Sequence, residues 1–510
     1  MINRYKKPTL AILAALLGSC SLMPNYERPG APVPIAWPDS VKLKATTEPA
    51  PGDWQRYFPD PRLQALITAA LENNRDLRIA TARIAEARAQ YGIQFADRFP
   101  NLNLTGTRNA SLTPAGASIT GNAIQTQRYD VGVSLVSFEL DFWGHVSSLN
   151  AYAKASYLAT EAAQRAFRLS LIADVANAYL SLLEMRERTE LTAATVKARA
   201  ETRELVTRRR ELGVSSELDF LQAEGVYQAA LAELANLERQ QAAAENLINQ
   251  LLGQSIAEIK DLPAGRSLAE QDISASLIAG LPAEVLLRRP DVLAAEQKLI
   301  AANANIGAAR AAFFPRISLT GTAGTASRSL AGLFDAGSGA WSFQPAIILP
   351  LFAAGRNSAN VDVAEARKVA AVAEYEKTIQ QAFREVADLL NASDKLAEQL
   401  AAQTANSKVQ NQRLRLVMAR YQAGIVSHLE VLDAQREAFA AEQGEIQVRR
   451  AWFSAATQLY KALAGESNDS AARTTQETAN RRETSDGATS HSTRLSTDDN
   501  QVDGYVQAPE

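Results

Sequence analysis

The chain has 510 residues, of which 46% are apolar and 21% charged, with a net charge of −3. That length supports two or three ordinary domains or one very elongated one. The near-zero charge gives no reason to expect nucleic acid as a partner, and a single cysteine excludes an internal disulfide.

The first twenty residues read as an export signal. Arg4, Lys6 and Lys7 precede the apolar run Leu10 to Leu17, which is too short to span about 30 Å of hydrocarbon. Leu17, Gly18, Ser19 and Cys20 then have the layout of a bacterial lipobox, with cleavage after residue 19 and acylation of Cys20. Ser21 resembles the signal for sorting to the outer membrane. Several acyl chains, at about 0.8 kcal/mol per buried methylene, anchor a protein durably where one does not. Beyond this leader no uninterrupted apolar run is long enough to suggest a transmembrane helix. Any membrane crossing therefore requires a closed β-barrel.

Residues 20–57 form an extended anchored segment, and a first repeat is expected over 58–265. An alanine-rich helix ends before Phe99-Pro100, because proline disfavours helical geometry in the residue before it. Strands follow at about 101–112 and 129–140, joined by a Gly/Ser/Thr/Ala-rich loop. Val131, Val133 and Leu135 alternate with small or polar residues, the period of a strand with one apolar face. Residues 146–252 contain no proline and are rich in helix formers. A helix from Val146 to Glu211 would be about 100 Å long.

The same order returns in a second repeat over 266–465. Asp76 to Thr107 aligns without a gap onto Asp291 to Thr322, with twelve of thirty-two positions identical, including both Phe-Pro pairs. Strands are expected at about 316–325 and 342–349, and long helices over 357–464. Val372, Ile379, Val386 and Leu400, with Tyr375, Ala382, Leu389 and Leu396 between them, give a heptad stripe that Ser393 interrupts. Gly213 and Gly424 are the expected reversal points, with Ser216 and Ser427 placed to cap the returning helices.

Four strands cannot close a membrane barrel, since closed barrels begin at about eight. An open sheet edge in lipid leaves several kcal/mol per unpaired backbone group uncompensated. The chain is therefore expected to share a barrel with other copies. Strand counting alone permits two, three or four of them.

Taken together, Cys20 to Pro29 with Tyr26-Glu27-Arg28-Pro29, the Trp54 to Leu63 segment, the duplicated Phe-Pro strands and the Gly-x-x-Ser-x-Leu-acidic-x-Leu-x-Ala turns resemble the outer-membrane factors of tripartite efflux pumps. These are the TolC/OprM type, and the OprM-like (NodT) lipoprotein branch in particular. The resemblance spans Cys20 to about Gly465. It implies a mostly α protein with a transmembrane β part: a homotrimer with a twelve-stranded β-barrel in outer-membrane lipid and a twelve-helix periplasmic α-barrel. It also implies a periplasmic adaptor and an inner-membrane RND transporter as partners, export of drugs or other small toxic compounds, and no cofactor beyond N-acyl and S-diacylglycerol lipid on Cys20.

By motif, the resemblance implies adaptor docking at Gly213, Val214, Ser215 and Ser216, and at Gly424, Ile425, Val426 and Ser427. It places a constriction along Leu429, Glu430, Asp433 and Arg436. In a trimer Asp433 would form an acidic ring, with Glu430 a second and Arg436 offsetting these charges or bridging to a neighbour. Tyr421 matches a gate position that bonds across to an acidic residue, here Asp219. The basic gate residues of better-known relatives are replaced by Gln422 and Val426.

Nothing suggests an enzyme. His145, His428 and His491 lack metal-ligand spacing, and no phosphate loop or nucleophile elbow occurs. Phe142 and Trp143, beside Asp141 and Gly144, read as an interfacial aromatic pair or a packing plug at the barrel neck. The segment 466–510, rich in Ser, Thr, Asn, Asp and Gln, is expected to be disordered. The rival readings are a channel for metal-ion efflux or type I protein secretion, and a structural periplasmic coiled-coil lipoprotein.

Overall fold

A computed structural model describes residues 21–34, 37, 54–273 and 283–463. The expected leader, the Cys20 anchor and the 466–510 tail lie outside the described residues.

The helices α1 (Trp54–Tyr57), α2 (Pro61–Asn73) and α3 (Arg75–Ala96) lead into strands β1 (Leu102–Thr113) and β2 (Ile124–Leu140). The long helices α4 (His145–Glu211) and α5 (Glu217–Leu252) follow. The second half repeats the order with α6 (Pro290–Ala311), β3 (Arg316–Ser327), β4 (Gly339–Ile348), α7 (Arg356–Gln422) and α8 (His428–Leu463). Corresponding helices match in length: 22 residues in α3 and α6, 67 in α4 and α7, and 36 in α5 and α8. At 1.5 Å per residue, α4 and α7 each run about 100 Å.

The strands form one antiparallel meander in the order β1-β2-β3-β4, so β2 and β3 make the seam between the repeats. β2 begins five residues before its expected start. The apolar alternation fades at Gln125, Thr126, Gln127 and Arg128, yet backbone pairing continues until Ile124 meets Thr113. At the neck, Trp143 stacks on Phe314 with ring centroids 4.8 Å apart and donates Nε1–H to the Pro315 carbonyl at 2.9 Å. The first long helix is thus plugged against the second Phe-Pro pair. Asp141 accepts from the Val146 and Ser147 amides and so caps α4.

The apolar stretch of α4 meets the length and hydropathy of a membrane span. Its residues Leu171, Ile172, Val175, Tyr179 and Leu180 are instead buried in a core with Phe58, Leu63, Leu66 and Ile67 before and within α2, Ile248 and Leu252 of α5, and Phe453 and Tyr460 of α8. A second core joins Val292 and Leu299 of α6 to Tyr375, Ile379, Ala382 and Val386 of α7 and Leu459 of α8. The buried part of the heptad stripe therefore packs on α6 as well as on the hairpin partner α8.

The N-terminal segment lies antiparallel along α6. Met23 sits against Gly307, where an added Cβ would come within 2.8 Å of its Cα. Asn303 donates to the Pro24 carbonyl at 2.7 Å. Tyr26 and Arg28 both donate to Glu296, the arginine through two nitrogens at 2.7 and 2.9 Å.

Candidate functional site

Both long hairpins reverse by the same backbone device. In the first, the Gly213 amide bonds the Arg210 carbonyl and the Val214 amide bonds that of Arg209; in the second, Gly424 bonds Tyr421 and Ile425 bonds Arg420. Each glycine has φ of +72°, so both turns are Schellman motifs that use the left-handed conformation glycine tolerates. Leu212, Val214, Leu218, Ile425 and Leu429 are left exposed around the two tips. Ser427 and Glu430 are exposed beside them, with Val426 half-buried.

Asp219 does not meet Tyr421 as the resemblance implies. Its Oδ2 accepts from the Ser216 hydroxyl at 2.7 Å, the Ser216 amide at 3.0 Å and the Ser215 hydroxyl at 3.1 Å, while Ser216 Oγ accepts from the Asp219 amide. This capping box commits the carboxylate to the start of α5. The Ser216 hydroxyl and amide, with the Ser215 hydroxyl, hold the Asp219 carboxyl below the usual range. Tyr421 instead accepts a hydrogen bond on its hydroxyl oxygen from Arg209 Nη1 at 3.1 Å. Arg209 is thus a basic partner of Tyr421 at this point. The paired arginines at four residues before Gly213 and Gly424 hinted at it, although their spacing does not say which residue they meet.

His428, the first residue of α8, completes the cluster. It is only 9% exposed, its ring lies 5.6 Å from that of Tyr421, and neither ring nitrogen has a hydrogen-bond partner. Burial lowers its pKa, opposed by the nearby Asp219 charge and reinforced by that of Arg209. Arg209, Asp219, Tyr421 and His428 come from or flank α4, α5, α7 and α8 respectively, so all four long helices meet at this point.

Nine residues beyond Gly424, Asp433 is held from two sides. Oδ2 accepts from Arg413 Nη2 at 2.8 Å, across the hairpin, and Oδ1 accepts from Arg436 Nη2 at 2.9 Å. Arg436 also reaches Glu437 at 3.2 Å. Within one chain Asp433 is thus paired with Arg413 as well as with the Arg436 that the acidic-ring expectation set beside it. Arg413 and Asp433 stand equally far from residue 423, so counting outward from the turn pairs them; no local motif does. No group of three or more His, Cys, Asp or Glu able to hold a metal ion occurs among the described residues.

Comparison with known proteins matches this architecture. The outer membrane efflux protein family matches residues 66–254 and 281–465. The outer membrane protein OprJ of Pseudomonas aeruginosa is 44% identical over 466 residues, covering 90% of this chain and 96% of OprJ. The toluene efflux pump outer membrane protein TtgI of Pseudomonas putida is 44% identical, covering 90% of this chain and 97% of its own. Among solved structures, the open state of the Neisseria gonorrhoeae MtrE outer membrane channel superposes with a TM-score of 0.79 at 37% identity, covering 88% of this chain and 99% of MtrE.

The chain belongs to the outer membrane efflux protein family. It has the TolC-like channel fold and is a non-enzymatic outer-membrane channel with a periplasmic helical extension, the outer-membrane component of an efflux pump.

Proposed function

We propose that three copies form one duct, lipid-anchored at Cys20, that exports antibiotics, organic solvents or similar small toxic compounds. The observation that carries the assembly is the unequal burial of the repeated helices. α6 packs between α4 and α7 and is buried along its whole length, whereas its counterpart α3 packs on α4 and buries only Leu77. Ile79, Ile93 and Phe95 are left exposed on α3. A neighbour's α7 against α3 would repeat the internal arrangement and propagate a ring. The sheet supports the same reading, since β1 and β4 are unpaired edges and β4 would run antiparallel to a neighbour's β1. Three copies give twelve strands and twelve helical barrel segments; the number itself rests on the family.

The strap along α6 supports the anchor. Gly307, beside Met23, lies about 6 Å of helix rise from the end of α6, and β3 starts five residues beyond that end. Residue 20 is three residues before Met23, within about 10 Å of extended reach. The described end of the strap therefore lies near the periplasmic rim of the sheet, where lipid begins. The cargo reading rests on relatives named for toluene, solvent and antibiotic efflux.

At the periplasmic end, the turns at Gly213 to Ser216 and Gly424 to Ser427 dock the adaptor through their exposed apolar rim. The Arg209–Tyr421 bond holds the two hairpins together in the closed state, the Asp219 cap fixes the start of α5 beside it, and Leu429, Glu430, Asp433 and Arg436 ring the constriction. Arg209→Ala and Tyr421→Phe, made separately, are expected to raise uptake of a large antibiotic by cells carrying the channel without its adaptor. Susceptibility that stays at the parental level in both variants would remove these residues from the gate.

A further inference from the structure

The two guanidiniums on Asp433 bear on which ions the constriction admits. Each carboxylate oxygen is taken by a different arginine, and Arg436 also touches Glu437. Arg413, Arg436, Asp433 and Glu437 sum to zero charge in every copy. A ring built from such units differs from the one expected from the α8 sequence alone, in which Arg436 is the only basic group beside the acidic residues. We propose that Arg413, reaching across from α7, is a selectivity-determining residue: it neutralises the Asp433 ring and limits the cation preference of the constriction.

This inference rests on the reading that Asp433 faces the shared lumen. Its physical basis is the separation between bond strength and charge. Arg413 and Asp433 are 45% and 40% exposed, so the pair adds little to stability and its loss leaves the fold intact. Removing one positive charge per copy nonetheless adds three net negative charges around one narrow, water-filled axis in a trimer. Charges of one sign lining a cleft concentrate counter-ions and exclude co-ions. The Debye length is about 10 Å at 0.1 M salt and about 3 Å at 1 M, so the effect is strong at the lower concentration and fades at the higher. Neither Glu430 nor Arg436 replaces Arg413, because removing Arg413 leaves their charges where they are.

The test is the reversal potential of the full-length assembled channel in a planar bilayer under a KCl gradient. Arg413→Gln is expected to raise the K+ over Cl− permeability ratio by about threefold or more at 0.1 M, and by much less at 1 M. Arg413→Lys, which keeps the charge, should retain the parental ratio. Asp433→Asn should shift the ratio toward Cl−, and Arg413→Gln with Asp433→Asn should return it close to the parental value. If Asp433→Asn moves the ratio while Arg413→Gln does not, Arg413 has no such role and the proposal fails alone. If neither substitution moves it, Asp433 does not line the constriction, and the gate reading fails with the proposal.

Discussion

A Gly324→Val chain is expected to yield no assembled channel in the outer membrane. Gly324 faces Gly132 across the β2–β3 seam. A Cβ at Gly324 would lie 2.1 Å from the Val131 carbonyl oxygen and 2.4 Å from the Gly132 Cα; one at Gly132 would lie 2.7 Å from the Ala323 oxygen. These obstacles are backbone atoms, so no side chain can swing aside and the strands must part. Parting them breaks the ladder that joins the two repeats. In lipid each orphaned amide or carbonyl then costs several kcal/mol. Gly324→Ala already introduces the clash and should behave similarly. Gly106→Ala is the control, since its new methyl would meet only the Val131 side chain at 3.6 Å. Heat-modifiable oligomer in outer-membrane fractions, followed on unboiled gels, should be lost in the Gly324 variants and kept in the Gly106 variant. A normal oligomer with valine at position 324 would show that this seam does not form as described.

Asp60→Ala is expected to cost the periplasmic helical body about 3 kcal/mol or more. Asp60 is fully buried and gathers five donors. Its Oδ1 accepts from the Arg62 and Leu63 amides at the start of α2, where Pro61 leads the helix. Its Oδ2 accepts from the Tyr179 hydroxyl at 3.1 Å, the Arg266 amide at 3.1 Å and Gln271 Nε2 at 2.7 Å. One carboxylate therefore ties the start of the first repeat, the middle of α4 and the connection to the second repeat. Alanine leaves most of these donors without an acceptor, Gln271 alone keeping its bond to the Arg266 carbonyl, and opens a small void. The tyrosine carries the imprint of the site, its hydroxyl pKa raised well above the ordinary value by burial and by the adjacent Asp60 charge. Denaturant titration of the helical circular dichroism should show the loss, together with faster protease cleavage near Arg266. A change below about 1 kcal/mol would mean that Asp60 is not the knot described.

Local signals carried much of the fold. The two Phe-Pro pairs, the glycines at 213 and 424 and the absence of proline in the long helices each act on their own backbone neighbourhood, so they can be read without tertiary contacts. The duplication was legible for the same reason, as two runs with matching residues in matching order. Strand ends were less so: β2 runs on through Gln125 to Arg128, where pairing with β1 replaces apolar alternation as the stabilising term. The site was readable only in outline. Which partner Asp219 takes is decided by competition with the adjacent Ser216 cap, and which arginines reach Asp433 is decided by the hairpin register. His428 looked like an isolated histidine because the residues that surround it come from three other helices. The buried strap contact at Glu296 had no local sign at all, since Arg28 lies 268 positions away.

Whether separate chains pool their strands is read most directly from the mass of the complex extracted from outer membranes in mild detergent and weighed intact. Three processed chains, each with its acyl groups, are expected. A single chain, or an assembly of two or four, would contradict the shared twelve-stranded barrel.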